Sequence, residues 1–171
     1  MAESPALTPS GPDDDTFRAV LGRFATGVSV MTTVADGVPH GMTANAVSSV
    51  SLHPHLVLVC VERATVMSQR VRTSGVFALS FLAADQAALS AWFADPDRPS
   101  DARQFADVPC RTEASGAPVL ERNVAWLDCR VHAIHEAGDH DVVIGEVLDL
   151  GVGGLDDPLL YYASAYRRLQ G

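Results

Sequence analysis

The chain has 171 residues, 47% hydrophobic and 19% charged, with three cysteines; this is length enough for one domain with a core that needs no disulfide staples, and the composition excludes a disordered chain. Twelve basic against 21 acidic residues give a net charge of −9, which argues against nucleic acid or an anionic membrane surface as partner, because both need a basic footprint. Every basic residue is arginine, so chemistry that depends on a Schiff-base lysine is excluded.

Residues 1–15 are acidic and Pro-containing and lack the apolar stretch of a secretory signal, and 1–12 are expected to form a disordered tail before one domain over 13–171. No apolar run reaches membrane-spanning length, and the odd, low cysteine count suits a reducing compartment, so the expected location is cytoplasmic. Asp13, Asp14 and Asp15 suit a helix N-terminus. Phe17, Val20, Leu21 and Phe24 follow at helical spacing, with Gly27 as the stop. A β-branched stretch at 28–35 predicts a strand, Asp36-Gly37 a tight hairpin, and 38–52 the return strand, ended by His53-Pro54. The continuous apolar run at 56–61 predicts a strand buried on both faces. Next come a helix over 63–74 capped by Gly75, a strand over 76–82, and a helix over 85–93 with Leu89, Trp92 and Phe93 on one face. Pro96, Pro99 and Pro109 mark a loop with a short turn at 102–105. Strands at 124–135 and 139–150 share a hairpin at Gly138-Asp139, and a last strand spans 160–169. Antiparallel hairpins with a few interspersed helices point to an α+β domain built on a β-barrel. A doubly wound sheet would need regular strand–helix alternation and a Gly-rich first turn; no GxGxxG and no P-loop is present.

Few side chains advertise chemistry. Cys129, His132 and His135 lie in a predicted strand, where alternation puts Cys129 and His135 on one face and His132 on the other, so no metal site is expected. His53 and His55 flank a proline and fit a turn. Cys60 sits in an apolar strand, where a thiol is ordinarily inert. There is no GxSxG elbow, and no His–carboxylate pair is marked out for Ser48, Ser49 or Ser51. The unusual segment is 39–52, PHGMTANAVSSVSL, dense in Thr, Asn and Ser on a predicted strand. Small side chains would let a flat ligand lie against backbone, with Asn or Thr bonding its heteroatoms; the plain alternative is an edge strand with a solvated face.

Phe24-Ala25-Thr26-Gly27-Val28, the 39–52 segment, LVLVCVE at 56–62, GVFAL at 75–79, GDHDVVIGEV at 138–147 and PLLYY at 158–162 stand in order. Together they closely resemble the flavin reductase family, over about residues 16–169. The resemblance implies an FMN-binding split β-barrel, α+β, mostly antiparallel and Greek-key-like, with a few flanking helices. It implies an NAD(P)H:flavin oxidoreductase that moves hydride from nicotinamide C4 to flavin N5 and passes diffusible reduced flavin to a partner flavin-dependent monooxygenase. The ligands are FMN or FAD, with NADH or NADPH as reductant, neither choice being settled by sequence. A homodimer is implied too, in keeping with the mild apolar excess. Carried onto this chain, the isoalloxazine lies along Pro39, His40, Gly41, Met42, Thr43, Asn45 and Ala46. Cys60, Val61, Glu62, Val66 and Met67 match the ribityl and phosphate region, and Trp92 and Phe93 the tail pocket. His140 is the expected catalytic residue, and with Tyr161 and Tyr162 it faces the pyridine nucleotide. Two departures stand out: Ala64-Thr65-Val66-Met67 replaces a stretch that commonly holds Ser or Arg, and Gln104-Phe105 replaces a basic residue followed by Phe. Both remove charge from the expected phosphate site. A flavin-holding electron carrier or a ferric reductase of the same fold is the alternative.

Overall fold

In the computed structural model, which describes residues 11–169, helix α1 spans Asp14–Leu21. Asp13 caps it, its carboxylate accepting from the Thr16 N–H at 2.9 Å. The helix stops at Gly22 rather than at Gly27, because β1 (Thr26–Gly27) must already be extended to pair with a C-terminal strand. None of its residues is buried.

β2 (Ser29–Ala35) and β3 (Val38–Ala44) form the expected hairpin, with Asp36 and Gly37 both at positive φ as a tight turn between twisted strands requires. The predicted return strand is not one strand. It breaks at Asn45-Ala46, and β4 (Val47–Leu52) pairs instead with β5 (His55–Glu62). β5 alternates rather than being buried throughout: Val57, Val59 and Val61 point inward, while Leu56, Leu58 and Cys60 are only partly covered. Helix α2 (Val66–Ser74) has Thr65 as N-cap and Gly75 in the left-handed conformation after it. β6 (Val76–Phe81) follows, then α3 (Ala87–Ala94) and a single 3-10 turn at Ala102–Phe105. Short β7 (Cys110–Thr112) and β8 (Pro118–Leu120), which carry no sequence signal, pair with each other. β9 (Ala125–Ala137) and β10 (His140–Val152) form the long hairpin. The predicted last strand is two, β11 (Leu160–Tyr162) and β12 (Ala165–Arg167), turned by Ala163 and Ser164 at positive φ.

Seven strands form one sheet in the order β3-β2-β6-β9-β10-β5-β4, every neighbour antiparallel. Its two edge strands, β3 and β4, are separated in sequence by only Asn45 and Ala46. Three peptide steps reach at most about 11 Å, whereas seven flat strands would put those edges about 29 Å apart. The sheet must therefore curl until its edges nearly meet. The core agrees: Met31, Ala44, Val59, Phe77, Cys129 and Val143, from six of the seven strands, pack together with Met67 and Val71 of α2. No ladder joins β3 to β4 among the described residues, so hydrogen bonds do not close the curl into the barrel the sequence suggested. A second cluster of Val28, Val30, Leu82, Phe93, Leu120 and Leu159 covers the outside of the β2–β6 region.

Two motif glycines are packing devices. A Cβ on Gly41 would stand 2.6 Å from the Phe93 ring, and one on Gly145 would stand 2.4 Å from the Phe77 ring. Within β9, His132 is the extra residue of a bulge, which ends the alternation expected between Cys129 and His135. Cys129 is buried while both histidines are exposed.

Candidate functional site

As an edge strand, β3 presents unpaired backbone groups, and the segment between α3 and β7 covers them with side chains. The Gly41 N–H donates to Gln104 Oε1 at 2.8 Å, and the Gly41 carbonyl accepts from Arg98 at 2.8 Å. Arg70 donates to the Val38 and Pro39 carbonyls and, at 2.9 Å, to that of Ser100. These bonds hold the 95–105 segment against β3 and leave a cleft of about 490 Å³ between that segment, β3 and the start of α2. His40, Met42, Thr43, Glu62, Val66, Phe93 and Arg98 all line it.

A hollow of about 240 Å³ adjoins it and shares Thr43; Asn45 and Tyr161 line that hollow. A third, of about 600 Å³, continues past Asn45, Ala46, Cys60 and Tyr161. Asn45 lines both and is itself exposed at the break between β3 and β4, where its Nδ2 donates to Thr26 Oγ1 at 3.1 Å. The result is a succession of hollows along β3, narrow, apolar-walled and edged by Thr43 and Asn45.

The expected residues are thus gathered unevenly. His40, Met42, Thr43, Asn45, Ala46, Cys60, Glu62, Val66, Phe93 and Tyr161 line these hollows. Val61 and Met67 are fully buried in the core and line none of these hollows. Gly41 lies beneath Phe93, and Pro39 offers a carbonyl already bonded to Arg70. Trp92 does not share a face with Phe93: it is exposed, and its indole N–H donates to the Gln104 carbonyl at 2.9 Å. Tyr162 is partly covered and lines none of these three hollows. His140 begins β10 directly opposite Glu62 and its Nδ1 bonds Asp139 at 2.7 Å, but it lines none of these three hollows.

Two features of the cleft were not foreseen. Gln104 is wholly buried: its Nε2 donates to the Asp101 carbonyl at 2.9 Å and faces His40 Nδ1 at 3.2 Å. Since Oε1 is committed to the Gly41 N–H, Nε2 is the group that meets His40, whose Nδ1 must accept; the ring is neutral and protonated on Nε2. Burial, then the charges of Arg98 and Arg70, push its pKa down to about 4. The second is Arg98, the one cation lining the cleft among the described residues. Its sequence signal was available: a lone arginine between Pro96 and Pro99 in an otherwise acidic stretch.

Residues 21–170 match the family described as Flavin reductase like domain. The chain belongs to this family. Within it, the chain is 42% identical over 153 residues to an NADH-dependent FAD reductase of Streptomyces globisporus, covering 89% of this chain and 84% of that one. It is 38% identical over 162 residues to HsaB, the reductase subunit of a flavin-dependent monooxygenase of Mycobacterium tuberculosis, covering 92% and 83%. Among solved structures it resembles BorF, the flavin reductase component of a bacterial two-component tryptophan halogenase, with a TM-score of 0.87, 38% identity, and coverage of 93% of this chain and 99% of that one. At that similarity the mostly antiparallel fold described above is one it has in common with BorF.

Proposed function

We propose that the chain is an NADH-dependent flavin reductase that supplies reduced flavin to a separate flavin-dependent oxygenase, and that its curled sheet is the split barrel of that family. The observation that carries this reading is the run of hollows along β3, flat and small-walled at Thr43–Asn45 and cationic at one end. A flavin has that profile: a planar ring with polar edges, a chain, and a phosphate. The residues fit it, with Asn45 and Thr43 at the ring edge, Ala46 and Cys60 along its face, and the Glu62–Val66 turn beside the tail.

When bound, flavin supplies the hydride acceptor, which is the demanding part of the chemistry. What remains for the protein is orientation and exclusion of water. Asn45, with Nδ2 held by Thr26, keeps its Oδ1 as an acceptor for a ligand in the hollows it lines. His40, in the cleft wall, stays neutral and therefore adds no charge beside the ring. To His140, which contacts Asp139 and pairs along the backbone with the cleft residue Glu62, we assign the approach of a second planar ligand; that pairing is what supports the assignment. Tyr161, edge-on to Tyr166 at 5.6 Å between ring centres, lines both hollows beyond the cleft. No acid–base pair is required, which is why none stood out in the sequence.

The deciding experiment is NADH oxidation, followed by absorbance, with and without added FMN, FAD and riboflavin. Strong stimulation by free flavin is expected. A permanently yellow protein indifferent to added flavin would make the chain a carrier instead.

A further inference from the structure

Along β10 every second residue points inward, and Val143 and Gly145 take two of those buried positions. The preceding one belongs to Asp141, a carboxylate where the pattern wants an apolar side chain, and it is buried. Its cross-strand partner is Glu136 of β9, so two carboxylates stand directly opposite each other, an arrangement that repels. Two arginines answer them, and each reaches both. Arg63 lies 3.1 Å from Glu136 and 3.8 Å from Asp141. Arg72 donates to Asp141 at 2.6 Å and lies 3.9 Å from Glu136. Ser68, in the first turn of α2, donates to the same Asp141 carboxylate at 2.7 Å. A buried ion pair is weak support for stability, since apolar residues of similar volume often serve as well. What Asp141 does supply is a fixed placement of the pieces it joins, which are α2 and the tip of the β9–β10 hairpin. β6 accompanies β9 only as far as Arg130. Past that point, among the described residues, the hairpin has a strand neighbour only on the β5 side. There the Arg63 N–H donates to the Asp139 carbonyl at 2.9 Å, and His140 pairs with Glu62. Glu62, Thr65 and Val66 line the cleft. The charge cluster therefore fastens the strand that carries His140 to the turn that walls the cleft.

We propose that Asp141 is a positioning residue of the reductase: held by Ser68, Arg63 and Arg72, it fixes the hairpin tip so that His140 meets the nicotinamide nucleotide. This rests on the flavin-reductase reading and on the role assigned there to His140. Asp141 itself, buried among protein partners, touches no ligand; its effect on the reaction passes through His140.

A double-mutant cycle on the NADH dependence of flavin reduction tests this, since residues that act as a unit give non-additive effects. Asp141→Asn in the wild-type chain should raise the apparent KM for NADH about fivefold. In the His140→Ala background the same substitution should add less than about twofold, because nothing is left to position. Should the asparagine variant fail to fold, Ser68→Ala loosens the same carboxylate from the α2 side and should show a smaller effect of the same pattern, present with His140 and absent without it. Equal effects in both backgrounds would make the cluster a structural tie only and overturn the proposal. So would an Asp141→Asn variant with an unchanged KM for NADH, or a His140→Ala variant that behaves as wild type. Wild-type protein that does not oxidise NADH when FMN or FAD is added would sink the flavin-reductase reading itself, a result distinct from a failure at Asp141 alone.

Discussion

At Gly41, one missing side chain lets the 95–105 segment lie against β3. The Phe93 and Phe105 rings, 5.3 Å apart, occupy the space a Cβ would need. Gly41→Ala should therefore cost about 1–3 kcal/mol of stability by overpacking, read from urea unfolding, and Phe93→Leu in the same chain should recover part of it. His40 shows what burial does to a titrating group. Its pKa is about 4 in the fold against about 6.5 when unfolded. Between those values the unfolded chain binds the extra proton, so stability rises with pH across that window and is lost as pH falls from 6.5 toward 4. The loss from this one group by pH 4.5 is about 2–3 kcal/mol, and His40→Gln should flatten the slope. A ring proton resonance of His40 with its midpoint near 6.5 would contradict this. His140 offers the functional counterpart. His140→Ala should raise the apparent KM for NADH about tenfold, or slow flavin reduction as much, equivalent to about 1.4 kcal/mol, with flavin affinity spared. Unchanged anaerobic reduction kinetics at subsaturating NADH would return it to an ordinary turn residue.

Elements were legible where local chemistry decides them. The aspartates 13–15 at a helix start, Asp36-Gly37 as turn, Gly75 as helix stop and Gly138 in the long hairpin were all visible, because each answers a need of its own backbone. The break at Asn45-Ala46 was not. No glycine or proline marks it; it exists because the sheet curls and hands the chain from one edge to the other, a tertiary fact. The β11–β12 turn was hidden for a related reason, since Ala163 and Ser164 adopt positive φ without the usual residues. Trp92 and Phe93 were misjudged as sharing a face because helical spacing cannot show that the 102–105 turn draws the indole outward. The same limit explains the site: Thr43 and Asn45, named through motif order, line the hollows while His140 lines none of them, and the place of Arg98 depends on how a loop folds over an edge strand. The tie between α2 and β10 is also tertiary. Asp141, buried, accepts from Ser68 at 2.7 Å and from Arg72 at 2.6 Å. Burial raises its pKa, but those bonds and the Arg72 and Arg63 charges outweigh it, and the net shift is downward. Its contribution is present above the unfolded carboxylate pKa, near 3.9, and is lost as pH falls through the lower folded value. Asp141→Asn should cost about 1–3 kcal/mol at neutral pH and disturb the α2 end of the cleft. Equal stability of variant and wild type in urea would show that the arginines find other partners at no cost.

For the molecule as a whole, one surface remains unexplained by the monomer. Phe17, Val20 and Leu21 on α1, Phe24 after it, Val50 and Leu52 on β4, and Leu148, Leu150 and Val152 on β10 are all exposed, Val152 to 88% and Phe24 to 74%. Phe24, Val47 and Leu150 line a further hollow of about 540 Å³ that also reaches Asn45. An apolar surface of this extent on a chain of net charge −9 is unusual for a monomer. A second copy is the occupant we infer: an interface related by two-fold symmetry would bury the same residues on both chains, and its edge would fall beside the flavin groove. Sedimentation at micromolar concentration should then give about twice the chain mass. Leu150→Asp, which sets a charge amid that patch, should shift the chain to monomer while its far-ultraviolet circular dichroism stays the same. If flavin is held between copies, the monomeric variant should also lose flavin affinity, although no residue of the groove has changed. Wild-type protein that sediments as a monomer and still turns over would remove the second copy from the site and leave the patch to the oxygenase partner.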